Sequence, residues 1–379
     1  MPGQIRDAIV DFLRSRLIEA TVHDIQQAVN RRLGDSVPKS SVRSYLSLNA
    51  DTLFDRTSLG TYRLRAPTLS APRARSAQDF TPAYEFGGAK LYHANCFEWL
   101  SARAPLSIEA VVTDPPYGLV EYSAKEQEKL RAGRGGVWRI PPSFDGHQRS
   151  PLPRFTTLRQ DDLDALVVFF EKWARLLMPV LVPGAHVVVA TNPLLSHLLS
   201  SALAAGGFER RGEIIRLVMT MRGGDRPKNA HLEFPDVSVM PRSMYEPWVV
   251  FRKPLAGRAQ DNLRKWKTGG FRRPEQDRPF GDVIPSSPTQ RRERSIAPHP
   301  SLKPQAFMRQ IVRAVLPLGE GTVLDPFAGS GSTLAAAQAV GYASIGIESD
   351  EEYVAMATSA IEALSKIRCT RWLKRLLQR

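Results

Sequence analysis

Between residues 5 and 48 the apolar positions recur every three to four residues, the spacing that lines one face of a helix. Ile5, Ile9, Phe12, Leu13 and Leu17 form a first stripe with charged residues opposite. Thr21 offers an N-cap, Asp24 three residues on completes a capping-box variant, and Val22, Ile25, Val29 and Leu33 carry a second stripe to Gly34. After Val37-Pro38, the run from Lys39 to Leu46 predicts a third helix whose exposed face is basic and hydroxylic. The pattern then becomes strand-like over Leu53–Arg56 and Thr61–Arg65, separated by Ser58-Leu59-Gly60. Three helices and a hairpin over residues 1–66 predict a winged helix-turn-helix. Lys39, Ser40 and Arg43 become candidate DNA contacts, because a recognition helix needs short donors and cations near its start. A three-helix module for protein contacts is the competing reading.

Residues 67–82 are rich in Pro, Ala, Ser and Arg without a period and read as a linker. From residue 83 onward short apolar strands alternate with helices. The strands are expected at Lys90–His93, Ala110–Thr113, His186–Thr191, Trp248–Arg252, Thr322–Leu324 and Ser344–Ile347. The helices are expected at Leu163–Leu177, Leu194–Ala205, Ala306–Val315, Thr333–Val340 and Tyr353–Ser365. Alternation of this kind predicts an α/β domain over 83–379, built on a doubly wound sheet. Two stretches, Gly118–Gln160 and Leu255–Ala297, break the rhythm with Arg, Pro and Gly and are candidate substrate-facing insertions.

Charge adds a partner to this picture. With 52 Lys and Arg against 38 Asp and Glu the net charge is +14, so polyanions are attracted and nucleic acid is the first partner to consider. The chain has only two cysteines, Cys96 and Cys369, too few for a disulfide framework or a four-cysteine zinc site. A reducing compartment is expected and no metal is. No apolar run approaches the roughly 18 residues of a membrane helix, and the first residues carry Arg6, Asp7, Asp11 and Arg14 where a signal peptide would be apolar. The expected location is the cytoplasm, with no membrane partner.

Two constellations carry chemistry. Thr322-Val323-Leu324-Asp325-Pro326-Phe327-Ala328-Gly329-Ser330-Gly331-Ser332-Thr333 reads as a strand entering a glycine turn that opens a helix. Glycines let backbone N–H groups approach a ligand, and the helix N-terminus favours negative charge. About twenty residues on, the next strand ends in Glu348, where a doubly wound fold places the carboxylate that accepts ribose hydroxyls. There is no P-loop lysine, and Asp-Pro-Phe stands where a dinucleotide fingerprint has its first glycine, so an adenosyl group without a pyrophosphate suits the turn.

The second constellation, Val111-Val112-Thr113-Asp114-Pro115-Pro116-Tyr117, is an apolar strand ending in an acid, two prolines and an aromatic. An exocyclic amine on a nucleobase is a poor nucleophile because its lone pair is delocalised. The Asp114 carboxylate and the carbonyl between Pro115 and Pro116 can accept both amino hydrogens and pull that nitrogen toward tetrahedral geometry. Tyr117 offers a face on which an extruded base can stack.

The tetrad Asp114–Tyr117, the turn Asp325–Thr333 with Glu348, and His299-Pro300-Ser301-Leu302-Lys303-Pro304 just before that turn together resemble the S-adenosylmethionine-dependent DNA amino-methyltransferases. The order, with the tetrad ahead of the cofactor turn, is similar to the circularly permuted class called beta, and the resemblance covers Lys90 to about Ala360. It implies a Rossmann-like methyltransferase sheet. It also implies that Asp114, Pro115, Pro116 and Tyr117 hold the target amine, and that Asp325, Phe327, Ala328, Gly329, Ser330, Gly331 and Thr333 form the cofactor turn. Glu348 would bind the ribose, and His299, Lys303 and Pro304 would close over the methionine moiety. The element the family writes Gly-Asp-Cys reads Ala94-Asn95-Cys96 here, so Asn95 and Cys96 would meet the adenine. Target recognition would fall in residues 255–297, where Arg264, Lys265, Trp266, Lys267, Arg272 and Arg273 interleave cations with aromatics. Arg291, Arg292, Arg294 and the tail Lys366–Arg379 extend the basic surface.

The implied reaction is methylation of adenine N6 in duplex DNA by base flipping, because relatives acting on cytosine N4 more often carry Ser in place of Asp114. Alternatives are an N4-cytosine enzyme, an RNA or protein methyltransferase, and an inactive DNA-binding regulator. Cytosine-C5 chemistry is excluded, since neither Cys96 nor Cys369 follows a proline. Any cognate restriction endonuclease would be a separate chain, a homodimer is a further candidate assembly, and the implied setting is a bacterial or phage cytoplasm, at the nucleoid.

Overall fold

The computed structural model describes residues 2–15, 19–34, 37–48, 54–58, 60–64, 80–116, 160–218, 226–227, 229–299 and 301–369. Two compact units divide the chain, Met1–Ala74 and Arg75–Arg379. Tyr117, Pro300, nearly all of the 118–160 insertion, most of the 67–82 linker and the tail from residue 370 lie outside the described residues.

In the first unit, helices α1 (Pro2–Ser15), α2 (Val22–Leu33) and α3 (Lys39–Leu48) are joined by strands β1 (Ala20–Thr21), β2 (Phe54–Ser58) and β3 (Thr61–Leu64). The capping box is formed: Thr21 Oγ1 accepts the Asp24 N–H at 3.2 Å and Asp24 Oδ2 accepts the Thr21 N–H at 3.2 Å. Ile9, Leu13, Ile25, Val29, Val42, Leu46 and Phe54 are buried together as one core. Each such side chain contributes about 1.5–3 kcal/mol on burial. The two-residue strand β1 escaped the sequence pattern, and it pairs antiparallel with β3 to make a sheet of order β1-β3-β2.

The second unit is a mixed α/β fold on a nine-stranded sheet. Its strands are β4 (Tyr84–Phe86), β5 (Ala89–His93), β6 (Ile108–Thr113), β7 (Leu181–Ala190), β8 (Glu209–Leu217), β9 (Tyr245–Arg252), β10 (Val283–Pro285), β11 (Thr322–Asp325) and β12 (Ala343–Glu348). They stand in the order β10-β8-β9-β7-β6-β11-β12-β5-β4, with β9 and β4 antiparallel to their neighbours. Helices α4 (Cys96–Ala102), α5 (Gln160–Val180), α6 (Ser196–Ala205), α7 (Ala259–Trp266), α8 (Arg291–Ile296), α9 (Gln305–Val315), α10 (Ser332–Val340) and α11 (Glu351–Ser365) complete it.

Successive residues of a strand face opposite sides, and the core divides accordingly. Val111, Val187, Val189, Val249 and Phe251 join the Trp173 and Phe170 side, packed by α4, α5 and α6. Ala110, Val112, Val188, Trp248 and Val250 join Phe307, Ile311 and Val312 of α9 on the other. A sheet covered on both faces explains why these strands read as continuous apolar runs. The six expected strands are present, most of them longer than predicted, while β4, β8 and β10 and helices α4, α7 and α8 went unread. The stretch 255–297 is therefore structured, not a simple loop.

Candidate active site

The carboxyl ends of β6, β11, β12 and β5 lie side by side in the sheet, the place where doubly wound folds bind ligands. Asp325 ends β11 and is buried, and Thr113 Oγ1, at the end of β6, donates to its Oδ1 at 2.7 Å. The Phe327 N–H donates to the same oxygen at 3.2 Å. Burial pushes the Asp325 carboxyl up to about 6, against the hydrogen bonds from Thr113, Thr333 and Phe327. Beyond it the Ala328 N–H donates to the Ile347 carbonyl, which ties the turn to β12.

Gly329 and Gly331 both adopt positive φ, 50° and 78°. Their roles differ. A Cβ on Gly331 would stand 2.6 Å from Ile361 Cγ1, so this glycine admits α11 against the turn. A Cβ on Gly329 would meet only the His299 ring, 3.4 Å away at Nε2. Ser330 is buried, and the buried Thr333 has its hydroxyl 3.4 Å from the Val112 carbonyl.

Glu348 closes the turn from β12. Its Oε2 accepts the Gly329 N–H at 2.8 Å, and its Oε1 accepts the N–H groups of Ser349 and Asp350 at 2.8 and 2.9 Å. Beside it lies a pocket of about 160 Å³ lined by Asn95, Cys96, Phe97, Pro116, Phe169, Phe327, Ile347 and Glu348. Phe169 and Phe327 stand 5.9 Å apart with their planes tilted by 37°. Apolar rings flanking a slot with a carboxylate at its rim suit a flat base joined to a ribose, so these residues fit an adenosyl group. Phe97 and Phe169 were missed, since nothing in a helical stripe says which apolar residue borders a cavity. Asn95 is partly committed elsewhere: its Oδ1 accepts the Phe97 N–H at 2.9 Å and caps α4. Burial pushes the Cys96 thiol up to about 12, which leaves it neutral and a wall of the pocket.

Asp114 follows Thr113 directly, so the hydrogen bond to Asp325 places Asp114-Pro115-Pro116 beside the glycine turn. Pro115 follows it, and Pro116 lines the pocket. Lys303 Nζ lies 2.7 Å from Asp114 Oδ2 and 3.6 Å from Glu246 Oε2. The sequence placed Lys303 over the methionine end of the cofactor, whereas here its ammonium engages the acid assigned to the amine. Burial opposes that charge, but Asp114 and Glu246 outweigh it and hold the lysine pKa above its ordinary value. His299 roofs Gly329 and packs edge-on to Tyr353 at 4.4 Å. Pro304 caps α9.

Lys39, Ser40 and Arg43 are exposed on α3, with Val42 and Leu46 fully buried on its other side. The remaining expected DNA contacts lie elsewhere in the fold. Asn262, within α7, donates to the Pro183 carbonyl at 3.0 Å, and Thr268 Oγ1 donates to it at 2.6 Å. Pro183 lies near the start of β7, six residues before Val189, the partner of Thr113. The segment Asn262–Thr268, which carries Arg264, Lys265, Trp266 and Lys267, is thereby held against the amino end of β7. It occupies the end of the sheet opposite the tetrad. Arg264 pairs with Asp261 at 3.0 Å, and Trp266 packs against the α5 side of the core. Arg272 donates to Tyr342 Oη at 2.7 Å, just ahead of β12, and Arg273 is exposed close by. Cation and aromatic spacing could not report which end of the sheet a loop covers.

Other residues occupy the tetrad's end. The Gln305 N–H donates to Glu293 Oε1 at 2.7 Å, which fixes α8 beside Lys303-Pro304 with Arg291, Arg292 and Arg294 exposed. Residues 229–244 lead into β9 there too, exposing Leu232, Phe234 and Val239.

A sheet of this order, with a glycine turn at one strand end, an acid at the next and an Asp-Pro-Pro beside them, defines a methyltransferase of the Rossmann-like kind. Residues 108–359 match the N6/N4 methyltransferase family, described as DNA methylase, and the chain belongs to that family. It is an S-adenosylmethionine-dependent DNA methyltransferase. The type II methyltransferase M2.DpnII of Streptococcus pneumoniae is 24% identical over 284 residues, 74% of this chain and 92% of that relative. M2.LlaDCHI of Lactococcus lactis subsp. cremoris is 25% identical, over 73% of this chain and 90% of that relative. The S-adenosylmethionine complex of M1.HpyAVI, 20% identical, aligns over 74% of this chain and 100% of its own, with a TM-score of 0.44.

Among the described residues, no helix is long and apolar enough to cross a membrane.

Proposed function

We propose that the protein methylates N6 of adenine in duplex DNA after the base is flipped from the stack. The observation that carries this reading is the Thr113–Asp325 hydrogen bond, which sets Asp114-Pro115-Pro116 beside the glycine turn and its pocket. Asp114 and the carbonyl between Pro115 and Pro116 accept the amino hydrogens and aim the nitrogen lone pair. Tyr117 stacks on the extruded base. Phe97, Phe169 and Phe327 hold the adenine of S-adenosylmethionine, Glu348 its ribose, and the turn beneath His299 its methionine end. When bound, the cofactor supplies an electrophilic methyl group. Asp114, where N4-cytosine relatives more often carry Ser, favours adenine.

The first unit acts as a winged helix-turn-helix that grips duplex DNA through α3, ahead of a catalytic domain in permuted order. At the catalytic end, α8 and residues 229–244 meet the DNA around the target base. The type II names of the relatives favour a role beside a separate restriction endonuclease, in a bacterial or phage cytoplasm at the nucleoid, and a homodimer is the assembly to look for.

Nucleoside analysis of methylated duplex is the test. N6-methyladenine is expected, and N4-methylcytosine without it would overturn the adenine assignment.

A further inference from the structure

Beyond Lys303 the charges continue. Glu246, at the start of β9, accepts Arg216 Nη1 at 3.1 Å on Oε2 and the Trp248 indole N–H at 2.8 Å on Oε1. Arg216, on β8, also donates from Nε to Ser286 Oγ and from Nη2 to the Ser287 carbonyl, both at 3.1 Å, just past β10. Its guanidinium carbon stands 5.3 Å from the Phe307 ring centroid. Asp114, Lys303, Glu246 and Arg216 thus form a row of alternating charges with side chains 17%, 12%, 19% and 7% exposed.

Desolvating an ion costs several kcal/mol, and one Lys303–Asp114 pair would suffice to neutralise the acid. The added pair does something else. A lysine is a point charge on a flexible stem, and a second carboxylate fixes where it stands. Glu246 is itself fixed by an indole and by a guanidinium whose fork is held at three places. Burial works against the charge on Glu246, yet Lys303 and Arg216 keep its pKa below the ordinary carboxylate value.

We propose that Glu246 and Arg216 are positioning residues for methyl transfer: they hold Lys303, and Lys303 sets the orientation of the Asp114 carboxylate that receives the target amine. The inference rests on that assignment of Asp114. It also joins the strand leading to α8, through Ser286 and Ser287, to the reacting acid.

The experiment measures single-turnover methylation, cofactor affinity and melting of the full-length enzyme. Glu246→Gln is expected to slow transfer by about 10²-fold, the cost of a small misplacement, while cofactor affinity changes less than about threefold. Lys303 loses one of the two carboxylates that retain its proton, so the alkaline fall in rate should move to lower pH, which mere loosening of the fold would not do. In Glu246→Gln/Lys303→Met the rate should be no lower than in Lys303→Met alone. If Glu246→Gln does not melt cooperatively, Glu246→Asp, which withdraws the carboxylate from Lys303, is read by the same limb and the same double variant. An unmoved limb with turnover within about twofold of wild type, or losses that multiply in the double variant, would overturn the proposal. Asp114→Asn separates the two ideas. If it is inactive while Glu246→Gln is active, only the positioning chain fails; if it turns over normally, the amine assignment fails and this inference with it.

Discussion

The Thr113 hydroxyl donates to Asp325 Oδ1 at 2.7 Å, across the 212 residues that separate them in the chain. One buried bond thereby joins the residue before the tetrad to the residue that opens the glycine turn. It serves a carboxyl whose folded pKa, about 6, lies above its ordinary 3.8 because of burial.

That shift has a defined sign. Between those two values folded Asp325 holds a proton that the unfolded chain has released, so stability is lost as pH rises through about 6. The full penalty, on the order of 3 kcal/mol, is present at neutral pH. Asn in place of Asp325 keeps an acceptor for Thr113 and removes the titration. The Asp325→Asn protein should therefore gain in melting temperature over wild type as pH is raised from about 4 to about 7. A difference that stays flat with pH would refute the buried, titrating carboxyl.

Asp114→Ala should abolish methylation while leaving cofactor binding largely intact, because the acid is assigned to the target amine and pairs with Lys303. Removing one positioned catalytic group costs on the order of 10² to 10³ in rate. Isothermal titration with cofactor and a radiolabelled methyl assay measure the two effects, and turnover above about a tenth of wild type would sink the role.

Charge reversal discriminates between the two ends of the sheet. Arg291→Glu with Arg292→Glu, on α8, should weaken duplex binding and lower the slope of log affinity against log salt by about two. Arg264→Glu with Lys265→Glu, at the far end, should leave both nearly unchanged. The opposite outcome would return DNA recognition to α7.

Deleting Met1–Ala74 should raise the apparent KM for DNA at moderate salt and leave kcat at saturating DNA nearly unchanged, because the unit holds none of the proposed catalytic groups and is proposed to act by raising local DNA concentration. Equal affinity and salt slope in the truncated protein would make the unit a module for some other partner. Loss of kcat in a folded truncation would mean that it helps build the site.

What the sequence determined by itself is local. Helical stripes, the Thr21–Asp24 box, continuous apolar runs and the glycine turn are set by neighbours within a few residues, and they were legible because helix and strand periods are properties of short windows. Asp114, Gly329 and Glu348 could be picked out for the same reason, each sitting in a short motif with its own chemistry. β8 could not be read, for Glu209-Arg210-Arg211-Gly212-Glu213 looks like surface. Its Arg216 is buried because Glu246, Ser286 and Ser287, 30 to 71 residues away, supply its partners. Tertiary structure alone decided that Lys303 meets Asp114, that Trp266 packs against the core, and that the cations of 264–272 lie at the end of the sheet away from the tetrad. Which end of a strand a loop covers depends on chain direction and strand order, and a list of residue types carries neither.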